Sequence, residues 1–222
     1  MINATSEIFE VERAYDLAAS RYDGWKWQDF WRAHETPFAL NQINGRPSAT
    51  SNDRLLDLGC GTGSYLLATR ERFRDSVGVD VSGEMLSIAR RRSPSSRFVH
   101  GSIETFHSAD QFDVILATRV ISHVREWKPV FASVRRMLKQ NGLFILTNVH
   151  SAHDYASTRL PTEKGAVSAS TYKHDERELF EFLQQQGFRV PNYIEIEGDG
   201  RCGQNGASAV APVGWAATLQ LG

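Results

Sequence analysis

The stretch Leu55-Leu56-Asp57-Leu58-Gly59-Cys60-Gly61-Thr62-Gly63 decides the fold. Its apolar residues and closing acid predict a buried strand, and its three glycines at every second position predict a tight turn into a helix that begins near Gly63. Glycine lets the backbone come close to a ligand, and the N-terminus of a helix presents free N–H groups at the same place. The stretch is therefore predicted to be a cofactor-binding loop.

The glycine spacing narrows the type of cofactor. A dinucleotide fingerprint needs Gly-x-Gly-x-x-Gly, and with Gly59 and Gly61 in the first two positions the third falls on Ser64. A phosphate-binding loop needs a lysine after its last glycine, and none follows here. The pattern Asp57-x-Gly59-x-Gly61-x-Gly63 instead closely resembles the first motif of the class I S-adenosylmethionine-dependent methyltransferases. The resemblance implies S-adenosyl-L-methionine as cofactor and S-adenosyl-L-homocysteine as product.

Strands and helices alternate after the glycine loop. The pattern predicts strands at 54–58, 76–80, 97–101, 112–117 and 143–149, and helices at 63–73, 83–92 and 127–139. Such alternation predicts an α/β fold, a doubly wound, mostly parallel sheet with helices on both faces and ligands at the carboxyl ends of the strands. The resemblance implies a Rossmann-like, seven-stranded methyltransferase fold that ends with a helix over 172–186, a strand after Gly187 and a strand at 213–221.

The chain is predicted to form a single structural domain with two parts. Residues 1–44 form an N-terminal helical lid segment, and residues 45–222 form the S-adenosylmethionine-binding domain. A polar hinge at 45–53 joins them. Residues 157–170 are predicted to be a mobile loop over the site, and residues 198–211 a flexible connection, because both are polar and rich in glycine or proline.

The N-terminal segment is rich in aromatic residues. Trp27, Phe30 and Trp31 are spaced i, i+3 and i+4, so they share one helical face. That face either packs on the domain's own sheet or forms the wall of a lid over cofactor and substrate, and both interpretations stay open. Residues 14–23 resemble the Tyr-Asp-x-x-Ala-x-x-Tyr-Asp opening of many small-molecule methyltransferases, in which the second tyrosine, here Tyr22, often reaches the cofactor.

Asp80 closes the second predicted strand. A carboxylate there can accept hydrogen bonds from both hydroxyls of a ribose. The alternative role is a helix N-cap, but Ser82 can cap the following helix and leave Asp80 for the ribose. The family resemblance places Val81 beside the adenine and Met85 in the wall behind it.

Relatives often carry Gly-Asp-Ala after the third strand, with the acid receiving the adenine amino group. Ser102 stands at that position here, so the adenine contact is expected from the Ser102 hydroxyl, from the backbone at Ile103 or from another part of the chain. The resemblance also implies that Asp57 binds the methionine end of the cofactor. The predicted cofactor contacts are Tyr22, Asp57, Gly59, Cys60, Gly61, Gly63, Asp80, Val81, Met85, Ser102, Ile103, Thr118 and Arg119.

Four side chains are candidates for catalysis: His123, His150, His153 and Tyr155. His123 follows the fourth predicted strand and has the near-neutral pKa of a general base, although the residues after it resemble a structural helix start. The other three follow the fifth strand, where family members often place groups on the substrate side. His150, His153 and Asp154 could instead ligate a metal, but their spacing fits no zinc pattern, and no metal is predicted.

The composition limits the kinds of molecule with which the protein is expected to interact. The chain has 222 residues, enough for one well-packed domain, and a formal net charge of −1, which argues against a nucleic-acid-binding protein. Its two cysteines, Cys60 and Cys202, form no disulfide framework, and neither a signal peptide nor a membrane-spanning apolar run is apparent. We therefore expect a cytoplasmic monomer or homodimer that acts on a small molecule, with no nucleic-acid or membrane partner.

The function implied by the resemblance is transfer of the cofactor's methyl group to an O, N or C nucleophile of a small, partly aromatic or apolar metabolite. The stretch after the fourth strand lacks the Asn/Asp-Pro-Pro-aromatic motif of enzymes that methylate nucleobase amines or glutamine. It resembles the small-molecule branch, of the type 11 and 25 methyltransferases. Two alternatives remain, a non-catalytic S-adenosylmethionine-binding protein and a nicotinamide-dependent oxidoreductase.

Overall fold

The computed structural model describes residues 8–46, 52–73, 75–155, 157–198 and 212–222. The helices are α1 (Val11–Tyr22), α2 (Lys26–His34), α3 (Thr36–Asn44), α4 (Ser64–Ala68), α5 (Gly83–Arg92), α6 (Lys128–Met137) and α7 (Glu176–Gln185), with a 3-10 turn at Ile121–His123. The strands are β1 (Ile8–Phe9), β2 (Arg54–Leu58), β3 (Asp75–Asp80), β4 (Arg97–His100), β5 (Phe112–Thr118), β6 (Leu138–Val149), β7 (Thr158–Thr162), β8 (Gly165–Ala169), β9 (Phe188–Ile196) and β10 (Gly214–Leu221).

A seven-stranded sheet forms the centre, in the order β4-β3-β2-β5-β6-β10-β9. The five strands from β4 to β6 pair in parallel, and β10 runs antiparallel to both of its neighbours. Every residue of β5 is buried, as a strand covered on both faces requires. The predicted doubly wound, mostly parallel seven-stranded sheet is confirmed.

Helices cover both faces of this sheet. On one face, α6 buries Val130, Phe131, Val134 and Met137, which are spaced as one helical stripe, together with apolar residues of α7. On the other face, α3, α4 and α5 pack against β2 and β5. The two covered faces leave the carboxyl ends of the parallel strands as the place for a site.

Residues 157–170 were predicted to be a mobile loop, and this prediction is wrong. They form the hairpin β7–β8, and β1 pairs in parallel with β8 to make a separate three-stranded sheet. Leu160 and Ala169 of the hairpin are fully buried against Ala14 and Ala18 of α1. The polar composition gave the wrong prediction because the hairpin is stabilised by β1 and α1, which come from the other end of the chain.

Three predicted helices differ at their ends. The helix expected over 127–139 ends at Met137, because β6 begins at Leu138. The helix expected over 63–73 ends at Ala68, where Thr69 leaves the helical conformation and its hydroxyl donates to the Tyr65 carbonyl at 2.8 Å. The helix expected over 172–186 begins at Glu176, because the Asp175 side chain caps it by accepting from the Glu178 N–H.

Several predictions fall on residues that the structure does not describe. They are the middle of the hinge (47–51), most of the flexible connection (199–211) and Cys202. Among the described residues, no helix has the length and apolar character needed to cross a membrane.

Candidate active site

The glycine loop joins β2 to α4 through three left-handed residues. Gly59, Gly61 and Gly63 have φ of +74°, +52° and +77°. The N–H groups of Gly59 and Cys60 both donate to the Val79 carbonyl, at 2.8 and 3.0 Å, so the loop is fixed to the end of β3. A left-handed backbone conformation favours glycine, because the Cβ of any other residue would come too close to the neighbouring backbone.

Gly59→Ala is expected to destabilise the fold by about 2–4 kcal/mol, from left-handed strain plus overpacking. An added Cβ would lie 2.4 Å from Val120 Cγ2, closer than atoms can approach. The matched control is Gly101→Ala, whose Cβ would meet nothing within 4 Å. Urea unfolding of both variants measures the difference, and equal stabilities would contradict the tight turn.

Asp80 connects the glycine loop to the start of α5. One carboxylate oxygen accepts from the Gly61 N–H at 2.7 Å and the other from the Ser82 N–H at 2.9 Å. Ser82 is the helix cap, since its hydroxyl oxygen accepts from the Met85 N–H at 3.1 Å. Burial raises the pKa of Asp80, and the two backbone N–H groups oppose that rise.

Asp57 is a buried carboxylate that accepts no hydrogen bond from the described residues. Its side chain is 1% exposed, and neither carboxylate oxygen has a hydrogen-bond partner among the described residues. Burial, and then the nearby charge of Asp80, raise the pKa of Asp57 to about 7. A buried polar group without a partner is unfavourable, so this position is suited to a cationic or hydrogen-bond-donating ligand.

Arg119 and Glu35 form a buried ion pair beside Asp57. Arg119 follows β5 with a φ of +55°, and its Nε donates to both carboxylate oxygens of Glu35, at 3.2 and 3.0 Å. Glu35 is 0% exposed and also accepts from the Thr147 hydroxyl. The guanidinium lies 5.3 Å from the centre of the Trp31 ring. Within the described part of the chain the terminal amino groups of Arg119 donate to no acceptor, which leaves them for a ligand.

Glu35 was not among the predicted site residues. It lies at the junction of α2 and α3, directly before Thr36-Pro37, where an acid is ordinary because it suits a helix N-terminus. Its burial depends on β5 and β6, which lie far along the chain, so no local signal distinguishes it.

Helix α1 places two tyrosines at the site. The Tyr22 ring lies over the glycine loop, since a Cβ on Gly61 would be 3.9 Å from Tyr22 Cε1. The Tyr15 hydroxyl lies 2.8 Å from His123 Nε2, and His123 Nδ1 lies 2.8 Å from the Ser170 carbonyl oxygen. The structure therefore brings His123 together with Tyr15 and Ser170, neither of which was among the candidates.

The predicted adenine side lies between the ends of β3 and β4. Met85 and Ile103 are buried, and Val81 is half-buried. The Ser102 hydroxyl makes a local turn, donating to the Glu104 carboxylate at 3.2 Å and accepting from the Glu104 N–H at 3.1 Å. His100 Nε2 lies 2.8 Å from the Val81 carbonyl oxygen.

Cys60 and Thr118 are buried members of the predicted cofactor set. The Cys60 sulfur packs over Gly78, where an added Cβ would lie 2.7 Å from Sγ. It belongs to the hydrophobic cluster that α3, α4 and α5 form against the sheet. Burial raises the pKa of the thiol well above its ordinary value. Cys60 is thus a packed core side chain, and only its backbone lies on the loop.

The loop after β6 carries the other three candidates, and it places two of them, His153 and Tyr155, side by side. His150 Nδ1 accepts from the Ala152 N–H at 3.1 Å, which uses that nitrogen within the loop. The rings of His153 and Tyr155 lie 5.8 Å apart, and Trp27 lies 6.2 Å from His153 on the other side. His153 Nδ1 and the Tyr155 hydroxyl are buried with no hydrogen-bond partner in the described residues.

Phe30 and Trp31 pack on the domain's own sheet, against Ile196, Val213 and Ala216. Trp27 is only half-buried and faces His153. Two of the three aromatic residues on this face thus pack on the sheet, and Trp27 contacts the loop after β6. Across the described ranges no three metal-ligating side chains cluster.

Residues 56–146 match the family model described as a methyltransferase domain. Residues 56–146 therefore have the sequence pattern of a methyltransferase domain. The predicted family and fold are confirmed by this match together with the sheet order and the glycine loop.

The chain is similar to curated relatives and to solved structures over different parts of its length. The chain is 30% identical over 146 residues to a malonyl-[acyl-carrier protein] O-methyltransferase of Halalkalibacterium halodurans, covering 62% of this chain and 54% of the relative. It is 26% identical over 217 residues to the ubiquinone/menaquinone biosynthesis C-methyltransferase UbiE of Geotalea daltonii, covering 86% and 88%. The chain thus spans about half the length of the first of these relatives.

The structure superposes on that of DhpI in complex with SAH with a TM-score of 0.67 and 20% identity, covering 94% of this chain and 93% of the other. This similarity establishes the shared class I methyltransferase fold over nearly the whole chain. The acceptors named for the relatives differ from one another, so they leave open which small molecule is methylated.

Proposed function

We propose that the protein transfers the methyl group of S-adenosyl-L-methionine to a small-molecule acceptor and releases S-adenosyl-L-homocysteine. The observation that carries the proposal is Asp57, a buried carboxylate without a donor at the carboxyl end of β2. The amino-acid end of the cofactor carries an ammonium group, which would supply both the charge and the donors that Asp57 lacks. The methyltransferase domain match and the left-handed glycine loop beside Asp57 support the same assignment.

The remaining cofactor contacts follow from the positions of the side chains. Asp80 lies at the end of β3, where it would accept from the ribose hydroxyls in addition to the two backbone N–H groups. The half-buried Val81 and the buried Met85 offer an apolar place for the adenine. The terminal amino groups of Arg119 would bind the cofactor carboxylate, a bidentate pairing that suits a guanidinium.

When bound, the cofactor supplies an already activated methyl group on a sulfonium. The protein's residues therefore mainly position the two reactants and exclude water. Tyr22 lies over the glycine loop and Tyr15 stands beside it, with their ring centres 5.8 Å apart. Both belong to α1, so this helix covers the cofactor loop.

We also propose that the N-terminal segment 1–44 acts as a lid on the domain formed by 45–222. Asp16 of α1 and Asp23, which directly follows α1, attach the segment to α5. Asp16 accepts from the Ser82 hydroxyl at 2.6 Å and from the Glu84 N–H at 3.2 Å. Asp23 pairs with Arg92 at 2.7 Å. These contacts lie at opposite ends of α5 and would have to break for the lid to open.

Asp16→Ala is expected to weaken S-adenosylhomocysteine binding by about 10-fold through faster dissociation, because it removes two hydrogen bonds to a charged group. Stopped-flow dissociation measures the effect. Glu12→Ala is the matched control, since Glu12 lies on the same helix with an exposed carboxylate 3.9 Å from His100. Equal dissociation rates in the two variants would contradict the lid.

The acceptor is proposed to be small and partly aromatic or apolar. Trp27, His153 and Tyr155 form an aromatic edge that includes two buried polar atoms without partners, which suits a planar molecule with a few polar groups. The formal net charge of −1 agrees with an acceptor other than a nucleic acid.

The test is formation of S-adenosylhomocysteine from S-adenosylmethionine with pools of small aromatic metabolites, RNA or protein as acceptors. The proposal expects turnover with the small molecules and its loss in Gly61→Arg, which fills the loop. Methylation of RNA or protein alone would contradict the small-molecule acceptor. Cofactor binding without turnover on any pool would favour a non-catalytic binding protein, and binding of a reduced nicotinamide cofactor instead would favour an oxidoreductase.

A further inference from the structure

We propose that Tyr15, His123 and the Ser170 carbonyl form a proton relay that deprotonates the methyl acceptor, and that the acceptor nucleophile is therefore a hydroxyl oxygen. This inference rests on the proposed methyl transfer. It assigns a catalytic role to Tyr15, a positioning and proton-accepting role to His123, and a chemical class to the acceptor.

The hydrogen-bond directions follow from the Ser170 carbonyl. A carbonyl oxygen only accepts, so His123 Nδ1, 2.8 Å away, carries the hydrogen and donates it. Nε2 of the neutral ring is then an acceptor, and the Tyr15 hydroxyl, 2.8 Å away, donates to it. The Tyr15 oxygen consequently keeps its lone pairs for a hydrogen bond from another hydroxyl.

The relay lies next to the cofactor loop and is not fully buried. Tyr15 and His123 are half-buried, and so are Tyr22 and Arg119. The Tyr15 ring lies 5.8 Å from the Tyr22 ring, which lies over Gly61. The four side chains come from α1 and from the residues that follow β5, and each keeps accessible surface.

Three separate segments build the relay. Tyr15 belongs to α1, His123 to the 3-10 turn after β5, and Ser170 directly follows β8, where its N–H donates to the Phe9 carbonyl at 3.2 Å. The second sheet therefore fixes the carbonyl that sets the His123 tautomer. Because Tyr15 moves with α1, the relay is complete only when α1 is docked on the domain.

The proposed step balances as follows. The acceptor hydroxyl gives its proton to the Tyr15 oxygen, while the Tyr15 proton passes to His123 Nε2. The acceptor oxygen uses its electron pair to form a bond to the methyl carbon, and the carbon–sulfur bond breaks with its pair remaining on sulfur. His123 becomes an imidazolium that donates to both Tyr15 and Ser170, and it later loses the proton to solvent.

The charges around the relay favour a neutral histidine at rest. Burial lowers the pKa of His123, so it is uncharged at neutral pH and ready to accept a proton. Tyr15 is faced by Tyr22 from α1, by Asp80 at the end of β3 and by Arg119 after β5. His174, which precedes α7, contacts the turn of His123 through the carbonyls of Ile121 and Val124.

The other histidine candidates are less suited to this role. His150 Nδ1 is used by the Ala152 N–H, and no tyrosine hydroxyl lies within hydrogen-bond distance of either His150 or His153 in the described residues. A neutral aromatic amine reacts after positioning alone, whereas a hydroxyl needs its proton removed. A dedicated relay therefore indicates an oxygen nucleophile.

The experiment uses the full chain with three hydroxyl probes, catechol, 4-methylphenol and benzyl alcohol, and their amine counterparts. Tyr15→Phe and His123→Gln are each expected to lower kcat on the hydroxyl probes by about 100-fold or more, while the S-adenosylhomocysteine Kd changes less than threefold. The unmodified protein is expected to lose kcat at acid pH as His123 becomes protonated, and this fall should be absent in His123→Gln. Turnover of the amine probes alone, or variants that change only KM, would overturn the proposal.

A second measurement needs no acceptor. Nitrogen-15 NMR of the histidine rings should show His123 as the Nδ1–H tautomer, and Tyr15→Phe should raise the pKa of His123 because the neutral ring loses its donor. An Nε2–H tautomer would overturn the relay even in a protein that binds S-adenosylhomocysteine. Failure of the unmodified protein to bind S-adenosylhomocysteine would instead refute the proposed function itself, and with it the relay.

Discussion

Replacing Asp57 with asparagine is expected to weaken S-adenosylhomocysteine binding by about 100-fold, because a buried carboxylate–ammonium pair is replaced by a neutral hydrogen bond. The same change should stabilise the unliganded protein at pH 8. Both effects have one cause, which is that Asp57 carries a negative charge in a buried position without a donor of its own.

The pH dependence of the stability effect follows from the pKa. Burial raises the pKa of Asp57 from 3.8 to about 7, so the folded protein holds a proton that the unfolded chain has already lost. The free energy of unfolding therefore falls as the pH rises from about 4 to about 7, by at most about 4 kcal/mol. Asparagine removes this loss but leaves a buried amide, so a net gain of about 1–2 kcal/mol is expected at pH 8.

Thermal unfolding without ligand at pH 5 and pH 8 measures this effect. The gain from Asp57→Asn should be present at pH 8 and much smaller at pH 5. Asp110→Asn is the matched control, since Asp110 lies on the surface beside Arg54, whose charge lowers the pKa of that carboxyl. The control should not stabilise at pH 8. A loss of stability in Asp57→Asn at pH 8 would contradict the picture of an unpaired buried charge.

Glu35→Gln is expected to destabilise the protein by about 3–5 kcal/mol, because it leaves the half-buried Arg119 guanidinium without its fully buried counter-charge. The change also weakens the acceptor of the Thr147 and Tyr65 hydroxyls. For a chain of this size the expected fall in Tm is about 10 °C. Urea unfolding with a constant m-value would measure the same loss as a lower midpoint.

Two further variants make this test specific. Glu71→Gln removes the acid of an exposed ion pair with Arg70 and is expected to change the stability by less than about 0.5 kcal/mol. The double variant Glu35→Gln with Arg119→Met removes both charges and should recover part of the loss. If Glu35→Gln were no more harmful than Glu71→Gln, the buried ion pair would not hold α2 and α3 on the sheet.

Features that depend on neighbouring residues could be predicted from the sequence. The strand from Arg54 to Leu58, the glycine turn and the Ser82 cap each depend on a few consecutive side chains, and the structure has them where they were expected. The order of the parallel strands follows from alternation and right-handed crossovers, which need no knowledge of individual contacts.

Features that depend on distant segments could not be predicted. The second sheet joins β1 to a hairpin 150 residues away, so its polar strands looked like a loop. Glu35 looks like an ordinary acid at a helix start until β5 and β6 enclose it. His123 was a candidate on chemistry alone, and its partners Tyr15 and Ser170 come from both ends of the chain.

Calorimetric titration with S-adenosylhomocysteine at pH 7, in two buffers of different ionisation enthalpy, shows whether Asp57 binds the ammonium group of the cofactor. Because the pKa of Asp57 is about 7, roughly half of the unliganded molecules hold a proton there, and an ammonium group would displace it. We predict binding that releases about half a proton per molecule, and release that disappears in Asp57→Asn. A folded protein that shows no binding heat, and no rise in Tm with the ligand, would contradict the proposed cofactor site.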